Sequence, residues 1–143
     1  MTPSDVSVEA INRTSGERTT IALQLVGTQG ELRRCRLRAC HGPATWTGEG
    51  ADYFAALQEV RRELENNGWL LNCYGASKNV WPSAMARDMG QGLQAYRVRM
   101  GEPGRRDDLV GIFETGEDVQ PATVQEQAEF HRAWFESLKH SSR

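Results

Sequence analysis

Three runs within the first forty residues alternate apolar and polar side chains, and short turn sequences separate them. Val6, Val8 and Ala10 alternate with polar neighbours, and residues 19–27 and 31–40 repeat this pattern. Alternation with a period of two is typical of strands that are buried on one face only. Strands on such short connections pair antiparallel, because parallel neighbours need a long crossover. The chain is therefore predicted to begin with an antiparallel meander.

Two later segments change to the apolar spacing of an amphipathic helix. The first is predicted over 52–67, and Gly68 follows it at the left-handed position where many helices end. The second is predicted over 123–139, because Thr123 and Glu126 have the spacing of a capping box. One stripe of this helix is expected to pack in the core against the sheet: Val124, Ala128, His131, Phe135 and Leu138.

Further strands are predicted over 69–74, 93–100 and 109–114, whereas 41–50 is predicted to be a loop. The resulting order is β-β-β-α-β-β-β-α, with helices after runs of strands rather than between every pair. That order favours an α+β fold, in which a mostly antiparallel sheet carries its helices packed on one face. A parallel dinucleotide-binding sheet is not expected, because the chain lacks a strand-glycine-helix unit of that type.

Length, charge and cysteine content narrow the class of protein. The 143 residues suit a single domain, 1–143, with residues 1–5 and 140–143 expected to be loose. A net charge of −2 gives no general attraction to nucleic acid or to an anionic membrane. No apolar run approaches the roughly 20 residues of a membrane helix, and no signal sequence is visible. Without paired cysteine spacing, we expect a cytoplasmic protein that has no disulfide framework.

The sequence offers only weak evidence for a metal site or a catalytic nucleophile. Cys35, Cys40 and His41 are close in sequence, but positions 35 and 40 of one strand face opposite sides of a sheet. Cys73 could be a nucleophile only if His41 or His131 approached it, and a buried core thiol is the simpler interpretation. We therefore predict no metal, no cofactor and no catalytic residue, and we favour a protein that is not an enzyme.

Arginine repeats at every second position in two of the predicted strands. The residues are Arg34, Arg36, Arg38, Arg97 and Arg99. One interpretation is the solvated outer face of an antiparallel sheet. The other is an anion-binding surface, which would require the two strands to lie close enough for five guanidinium groups to share one face. Nucleic acid is a less favoured ligand, because no aromatic residue alternates with these arginines for base stacking.

The segment 74–92 is longer than most connections between strands and is rich in residue types that anchor interfaces. Pro82 holds the preceding Trp81 in an extended backbone, and Ser83 is expected to cap a short helix over 84–89. The segment could be a structural cap over the sheet or a recognition surface. The candidate partner-binding residues are Tyr74, Lys78, Trp81, Arg87 and Asp88.

Two stretches resemble a family of small uncharacterised bacterial proteins. They are Gly68-Trp-Leu-Leu … Trp81-Pro-Ser-Ala-Met-Ala-Arg-Asp-Met-Gly … Ala95-Tyr96, and Pro121-Ala-Thr-Val … Glu129-Phe-His … Leu138. In size, compartment and α+β build the chain is also similar to the immunity proteins of bacterial toxin systems, by analogy and without a shared motif.

Two functions of different class remain open. The first is a non-enzymatic domain that docks another bacterial protein, as an immunity or accessory protein of a toxin or defence system. The alternative is a small enzyme, or an anion- or nucleotide-binding domain, that uses segment 74–92 and the arginines. A deep pocket with convergent polar groups would favour the alternative, and an exposed surface with Trp81 or Trp134 outward would favour the first. We favour the first.

Overall fold

The computed structural model describes residues 4–27 and 34–141, and the described residues form eight strands and three α-helices. The strands are β1 (Ser4–Asn12), β2 (Arg18–Gly27), β3 (Cys35–His41), β4 (Ala44–Gly50), β5 (Trp69–Leu71), β6 (Val80–Trp81), β7 (Gln94–Arg97) and β8 (Leu109–Gly111). The helices are α1 (Tyr53–Glu65), α2 (Ala84–Gly90) and α3 (Val124–Ser141). Single 3-10 turns lie at Tyr74–Ala76 and Arg106–Asp108.

The strands form two antiparallel sheets. The large sheet has the order β4-β3-β2-β1-β5, and the small sheet has the order β6-β7-β8. Every pairing among the described strands is antiparallel, which confirms the predicted α+β class and the opening meander. Of the ends that we expected to be loose, residues 4–5 belong to β1 and 140–141 to α3. Residues 1–3 and 142–143 lie outside the described residues, as do the turn expected at 29–30 and residues 31–33.

The prediction of a loop over 41–50 is wrong, because β4 pairs with β3 from Ala44 to Gly50. The turn chemistry is confined to Gly42, which has a φ of 58°, and Pro43. A Cβ at Gly48 would overlap the carbonyl oxygen of Ala56 in α1. Glycine in a strand often marks close approach of another backbone. The glycines of β4 therefore let α1 pack directly on the sheet.

Gly48→Ala is expected to lower the free energy of unfolding by about 1 to 3 kcal/mol, the usual cost of overpacking. Besides the overlap with Ala56, the added methyl would lie 2.9 Å from Val60. Gly90→Ala is the matched control, because no atom lies within 4 Å of a Cβ there and alanine favours a helix. Denaturant unfolding of both variants measures the difference. An unchanged stability for Gly48→Ala would show that α1 does not lie this close to β4.

The core lies between α1 and the large sheet and extends to the small sheet. Phe54, Leu57, Val60 and Leu64 of α1 are fully buried. They pack with sheet residues that are also fully buried: Ile21, Leu23, Leu37 and Leu71. Val80, Ala95 and Ile112 belong to the same cluster. Gly68 follows α1 with a φ of 82°, as predicted.

The predicted starts of α2 and α3 are confirmed. Ser83 precedes α2, and its hydroxyl accepts a hydrogen bond from the amide of Ala86 at 3.0 Å. At the start of α3, the Thr123 hydroxyl accepts from the amide of Glu126 at 3.1 Å, and the Glu126 carboxylate accepts from the amide of Thr123 at 2.8 Å. Each cap satisfies backbone donors that would otherwise lack a partner. Segment 74–92 is therefore ordered structure that contains β6 and α2.

The prediction that Phe135 packs in the core is wrong. Its side chain is 53% exposed, whereas Val124 and Gln127 in the first turns of α3 are buried. The first part of α3 packs on α1 and β6, and beyond it the helix lies beside an open groove. An apolar stripe indicates which face of a helix avoids water, but it does not say what covers that face.

Candidate binding groove between the second and third helices

An open groove runs between α2, α3 and the small sheet. Its volume is about 570 Å3, and apolar side chains make up most of its lining. Arg87 is the only charged side chain among the described residues that line it. We call it the α2–α3 groove. The side chains on which its properties depend are Trp81, Arg87, Tyr96, His131, Trp134 and Phe135.

A second, smaller hollow of about 300 Å3 lies beside the groove. Trp81, His131 and Phe135 line both hollows. Arg132 and Glu136 line the second hollow only. The three shared side chains therefore stand between the hollows and form the centre of one continuous surface.

Trp81 is held in place by aromatic contacts on several sides. β6 places it opposite Tyr96 of β7. Its indole stacks on the imidazole of His131, with ring centroids 4.3 Å apart and an interplanar angle of 13°. Phe54 of α1 contacts the indole in a T-shaped arrangement at 5.2 Å. Such ring pairs stabilise a structure beyond the area that they bury. Trp81 therefore connects the groove to the core while it also lines the groove.

Arg87 projects from α2 toward the same rings. Its guanidinium carbon lies 5.0 Å from the centre of the Phe54 ring and 5.7 Å from that of Trp81. Among the described residues, its only ion pair is with Asp52, at 3.4 Å. That distance is long for a charge-assisted hydrogen bond. Since a guanidinium has five N–H donors, most of those of Arg87 are unused within the described part of the chain.

His131 lies between two indoles. Trp81 stacks on one side, and the ring of Trp134 lies 5.7 Å away at a tilt of 34°. Trp134 is fixed in turn, because its indole N–H donates to the carbonyl oxygen of Glu102 at 2.8 Å. Burial lowers the pKa of His131 below its usual value, and the positive charge of Arg87 lowers it further. His131 is therefore neutral at physiological pH.

His131 is expected to make the stability of the protein depend on pH in the mildly acidic range. Because its pKa is lower in the folded protein, the unfolded chain binds a proton more readily, so stability falls as the pH drops below the unfolded pKa of about 6.5. His131→Gln removes this titration. Denaturant unfolding at about pH 7.5 and about pH 5 should show a larger loss for the wild type than for the variant. Equal losses would contradict the assignment.

The other predicted partner-binding residues do not line the groove. Lys78 is exposed, and its ammonium nitrogen lies 5.8 Å from the centre of the Phe130 ring. Asp88 is exposed on α2. Tyr74 is buried, and its hydroxyl donates to the Asp118 carboxylate at 2.6 Å. Of the five residues, the structure brings only Trp81 and Arg87 together in the groove.

Tyr74 belongs to a polar cluster that links the small sheet to a loop. The carboxylate of Asp118 accepts hydrogen bonds from Tyr74 and from Arg97, the latter at 3.1 Å. These bonds lower the pKa of Asp118, and the hydrogen bond to the carboxylate raises the pKa of Tyr74. Arg97 also donates to the carbonyl oxygen of Asp107 at 2.9 Å. The cluster therefore fixes a loop to the small sheet.

The arginines of the predicted stripe do not lie on one sheet. Arg36 and Arg38 lie in β3 of the large sheet, and Arg34 directly precedes this strand. Arg97 is the last residue of β7 in the small sheet, and Arg99 lies two residues beyond it. Four of the five have carboxylate partners. Arg34 and Arg36 pair with Glu49 of β4 at 3.0 and 3.2 Å. Arg97 pairs with Asp118 and Arg99 with Asp108, each at 3.1 Å. The acids that neutralise these arginines come from other elements, which a single strand's sequence does not reveal.

Cys73 and His41 occupy structural positions. Cys73 is fully buried, and burial raises its pKa to about 11, so its thiol is not activated. His41 shares a 2.9 Å hydrogen bond with the hydroxyl of Thr19. Within residues 4–27 and 34–141, no group of three or more His, Cys, Asp or Glu side chains is placed to hold a metal ion.

Of the six groove side chains named above, Tyr96, His131, Trp134 and Phe135 were not predicted as site residues. Tyr96 was assigned to a strand, and the three residues of α3 were placed in or beside its core stripe. The signal that could have found them is the density of rings in this helix, where Phe130, His131, Trp134 and Phe135 fall within six residues. A helix packed against a sheet needs a narrower apolar face than these residues cover.

Comparison with known proteins leaves the function to be inferred from the groove. No family model matches the chain, and no curated protein matches it. In the part of the chain that the structure describes, no helix combines the length and the apolar character needed to cross a bilayer.

Proposed function

We propose that this chain is a non-enzymatic protein-binding domain that docks another protein through the α2–α3 groove. The observation that carries the proposal is an open, mostly apolar groove with three aromatic side chains at its centre and one arginine in its lining. Tryptophan, tyrosine and arginine are the residue types that most often dominate binding energy at protein interfaces. An apolar side chain of a partner would fill the groove.

The exposure of Phe135 supports a protein rather than a small molecule as the occupant. Its side chain is 53% exposed and lies between the groove and the second hollow. A pocket for a small molecule usually encloses most of its ligand. A surface that continues past an exposed phenylalanine is better covered by a protein, which can contact both hollows at once.

The alternative is a small enzyme or an anion- or nucleotide-binding domain. The groove offers few polar groups for a function of this kind. The Ser83 hydroxyl is used in capping α2, and His131 makes no hydrogen bond with another described residue. The arginines outside the groove are largely paired with carboxylates. Such a function would depend on Arg87 and on the polar atoms of His131 and Tyr96, without a second charged group among the described lining residues, so we favour docking.

The biological setting is part of the same proposal. The resemblance to small bacterial proteins and the similarity in build to immunity proteins suggest a cytoplasmic immunity or accessory protein of a toxin or defence system. A domain of this kind needs a rigid surface and a few anchors rather than a reaction centre. The paired arginines and the capped helices supply rigidity.

The test is capture of a partner by matched variants. The immobilised wild type is exposed to lysate of the native host beside Phe135→Ala and Met89→Ala. Met89 is 81% exposed on α2 but does not line the groove, so it controls for the loss of an exposed apolar side chain. We expect a protein retained by the wild type and by Met89→Ala to bind Phe135→Ala about thirtyfold more weakly, the effect of a hot spot of about 2 kcal/mol.

Both substitutions are at exposed positions, so the melting temperatures of the three proteins should agree. Equal retention by all three, or no specifically retained protein, would reject the groove as a docking site.

A further inference from the structure

We propose that the segment docking in the α2–α3 groove carries a carboxylate next to its apolar anchor, and that Arg87 binds this carboxylate. The inference rests on the proposed function and specifies the chemistry of the partner. It starts from the charge of the lining, in which Arg87 is the only charged side chain among the described residues. An entirely apolar ligand would bury this guanidinium with only the long ion pair to Asp52 to offset its charge, and burying a poorly paired charge is costly.

The geometry leaves Arg87 available for a second carboxylate. Its ion pair with Asp52 is 3.4 Å long. The Asp52 carboxylate also has a second role, because its Oδ1 caps α1 by accepting from the amide of Ala55 at 2.8 Å, while its Oδ2 faces Arg87. Asp52 is also only 4% exposed, so it stays behind Arg87 rather than in the groove. The unused donors of Arg87 can form the bidentate pair that a guanidinium makes with a carboxylate.

The aromatic contacts of Arg87 orient its guanidinium before a partner arrives. The group lies 5.0 Å from the ring centre of Phe54 and 5.7 Å from that of Trp81. Cation–π contacts of this kind attract the charge to the ring faces and leave the N–H donors on the guanidinium edge free. A carboxylate beside an apolar side chain of the partner would therefore meet the arginine while that side chain contacts Trp81, His131 or Phe135.

The probe is a displayed library of random dodecapeptides, selected on the wild type. Peptides that bind the wild type and Met89→Ala but not Phe135→Ala are groove-dependent. We expect these peptides to share an aspartate or glutamate adjacent to an aromatic or large aliphatic residue. A selection on Arg87→Met should lose the acidic position and keep the apolar one.

A double-mutant cycle then measures the pairing. In a selected peptide, the acidic residue is replaced by its amide. We expect the change to weaken binding to the wild type about tenfold or more and to leave binding to Arg87→Met almost unchanged. Arg87→Lys, which keeps the charge without the planar fork, should show a reduced coupling, and melting temperatures confirm that each variant is folded.

The outcomes separate the two proposals. Groove-dependent peptides without an acidic preference would overturn the carboxylate pairing and leave the docking groove standing. The same conclusion would follow if replacing the peptide's acidic residue by its amide weakened binding to the wild type and to Arg87→Met equally. A selection that yields no peptide sensitive to Phe135→Ala would overturn both. Benzoate that binds with the same dependence on Arg87 when no peptide does would identify a small-molecule pocket instead.

Discussion

Arg61→Met is expected to lower the free energy of unfolding by about 3 kcal/mol. Arg61 is 2% exposed in α1 and donates to the carbonyl oxygens of Gly75 and Ala122 and to the side-chain oxygen of Gln127, at 3.2, 2.9 and 2.5 Å. Burial lowers its pKa to about 10, so it remains charged at neutral pH. These bonds join α1 to the 3-10 turn at Tyr74–Ala76 and to the start of α3.

The magnitude follows from two opposing effects. Methionine removes the desolvation cost of a buried charge, which favours the variant. It also leaves the Ala122 carbonyl and the Gln127 side-chain oxygen without their donors, and each buried unsatisfied acceptor costs about 1 to 3 kcal/mol. The Gly75 carbonyl keeps a second donor, the Gln127 amide at 3.0 Å. We expect the cost of leaving the Ala122 carbonyl and the Gln127 side-chain oxygen without donors to exceed the gain from removing the buried charge.

Arg62→Met is the matched control for Arg61→Met. Arg62 is the next residue of α1, but its side chain is 54% exposed, and its ion pair within the described part of the chain is with Glu59 on the helix surface. Exposed pairs of this type contribute less than about 1 kcal/mol. Guanidinium chloride unfolding of both variants gives the comparison. A loss below about 1 kcal/mol for Arg61→Met would show that the buried bonds add little to the fold.

Trp81→Ala is expected to lower the free energy of unfolding by about 3 kcal/mol and to abolish binding in the groove. This loss in the free energy of unfolding is at the lower end of the usual range for a truncated aromatic residue, because Trp81 is only half-buried. Its removal takes away the stack on His131 and the contact with Phe54. Thermal and denaturant unfolding measure the first effect, and peptide titration measures the second.

Phe135→Ala separates these two roles. Phe135 is exposed, so its truncation should weaken binding at an unchanged melting temperature, whereas Trp81→Ala should change both. A Trp81→Ala protein with wild-type stability would mean that the aromatic stack does not support the core. Wild-type affinity in Trp81→Ala would show that the partner does not contact the indole.

Sequence reasoning succeeded where the signal is local. The period of two in β1–β3, the Ser83 cap of α2 and the Thr123–Glu126 box of α3 each depend on residues a few positions apart. The loop predicted at 41–50 failed for a different reason. The same residue type serves turns and close packing: Gly42 has the left-handed φ of a turn, whereas Gly48 lies in β4 against α1, and the local sequence does not distinguish the two.

The candidate site was less accessible to sequence reasoning, because its parts come from distant elements. Trp81 and Arg87 share one segment and were predicted, whereas His131 and Phe135 come from α3 and were assigned to the core. Arg61 illustrates the same limit. It lies on the apolar face of α1 between Leu57 and Leu64, where a charged residue indicates a buried partner. The partner is Gln127, 66 residues away, so the sequence alone could not name it.

If a partner docks in the groove, the aromatic stack also bears on the entropy of binding. The orientation of Trp81 is fixed by His131 and Phe54 when the chain folds, so a partner that contacts the indole need not immobilise it. Phe135 is 53% exposed, so a partner would have to restrict more of its side-chain motion on binding. Under the docking proposal, Phe54 would therefore contribute to affinity without touching the partner, since loosening it would restore motion to Trp81.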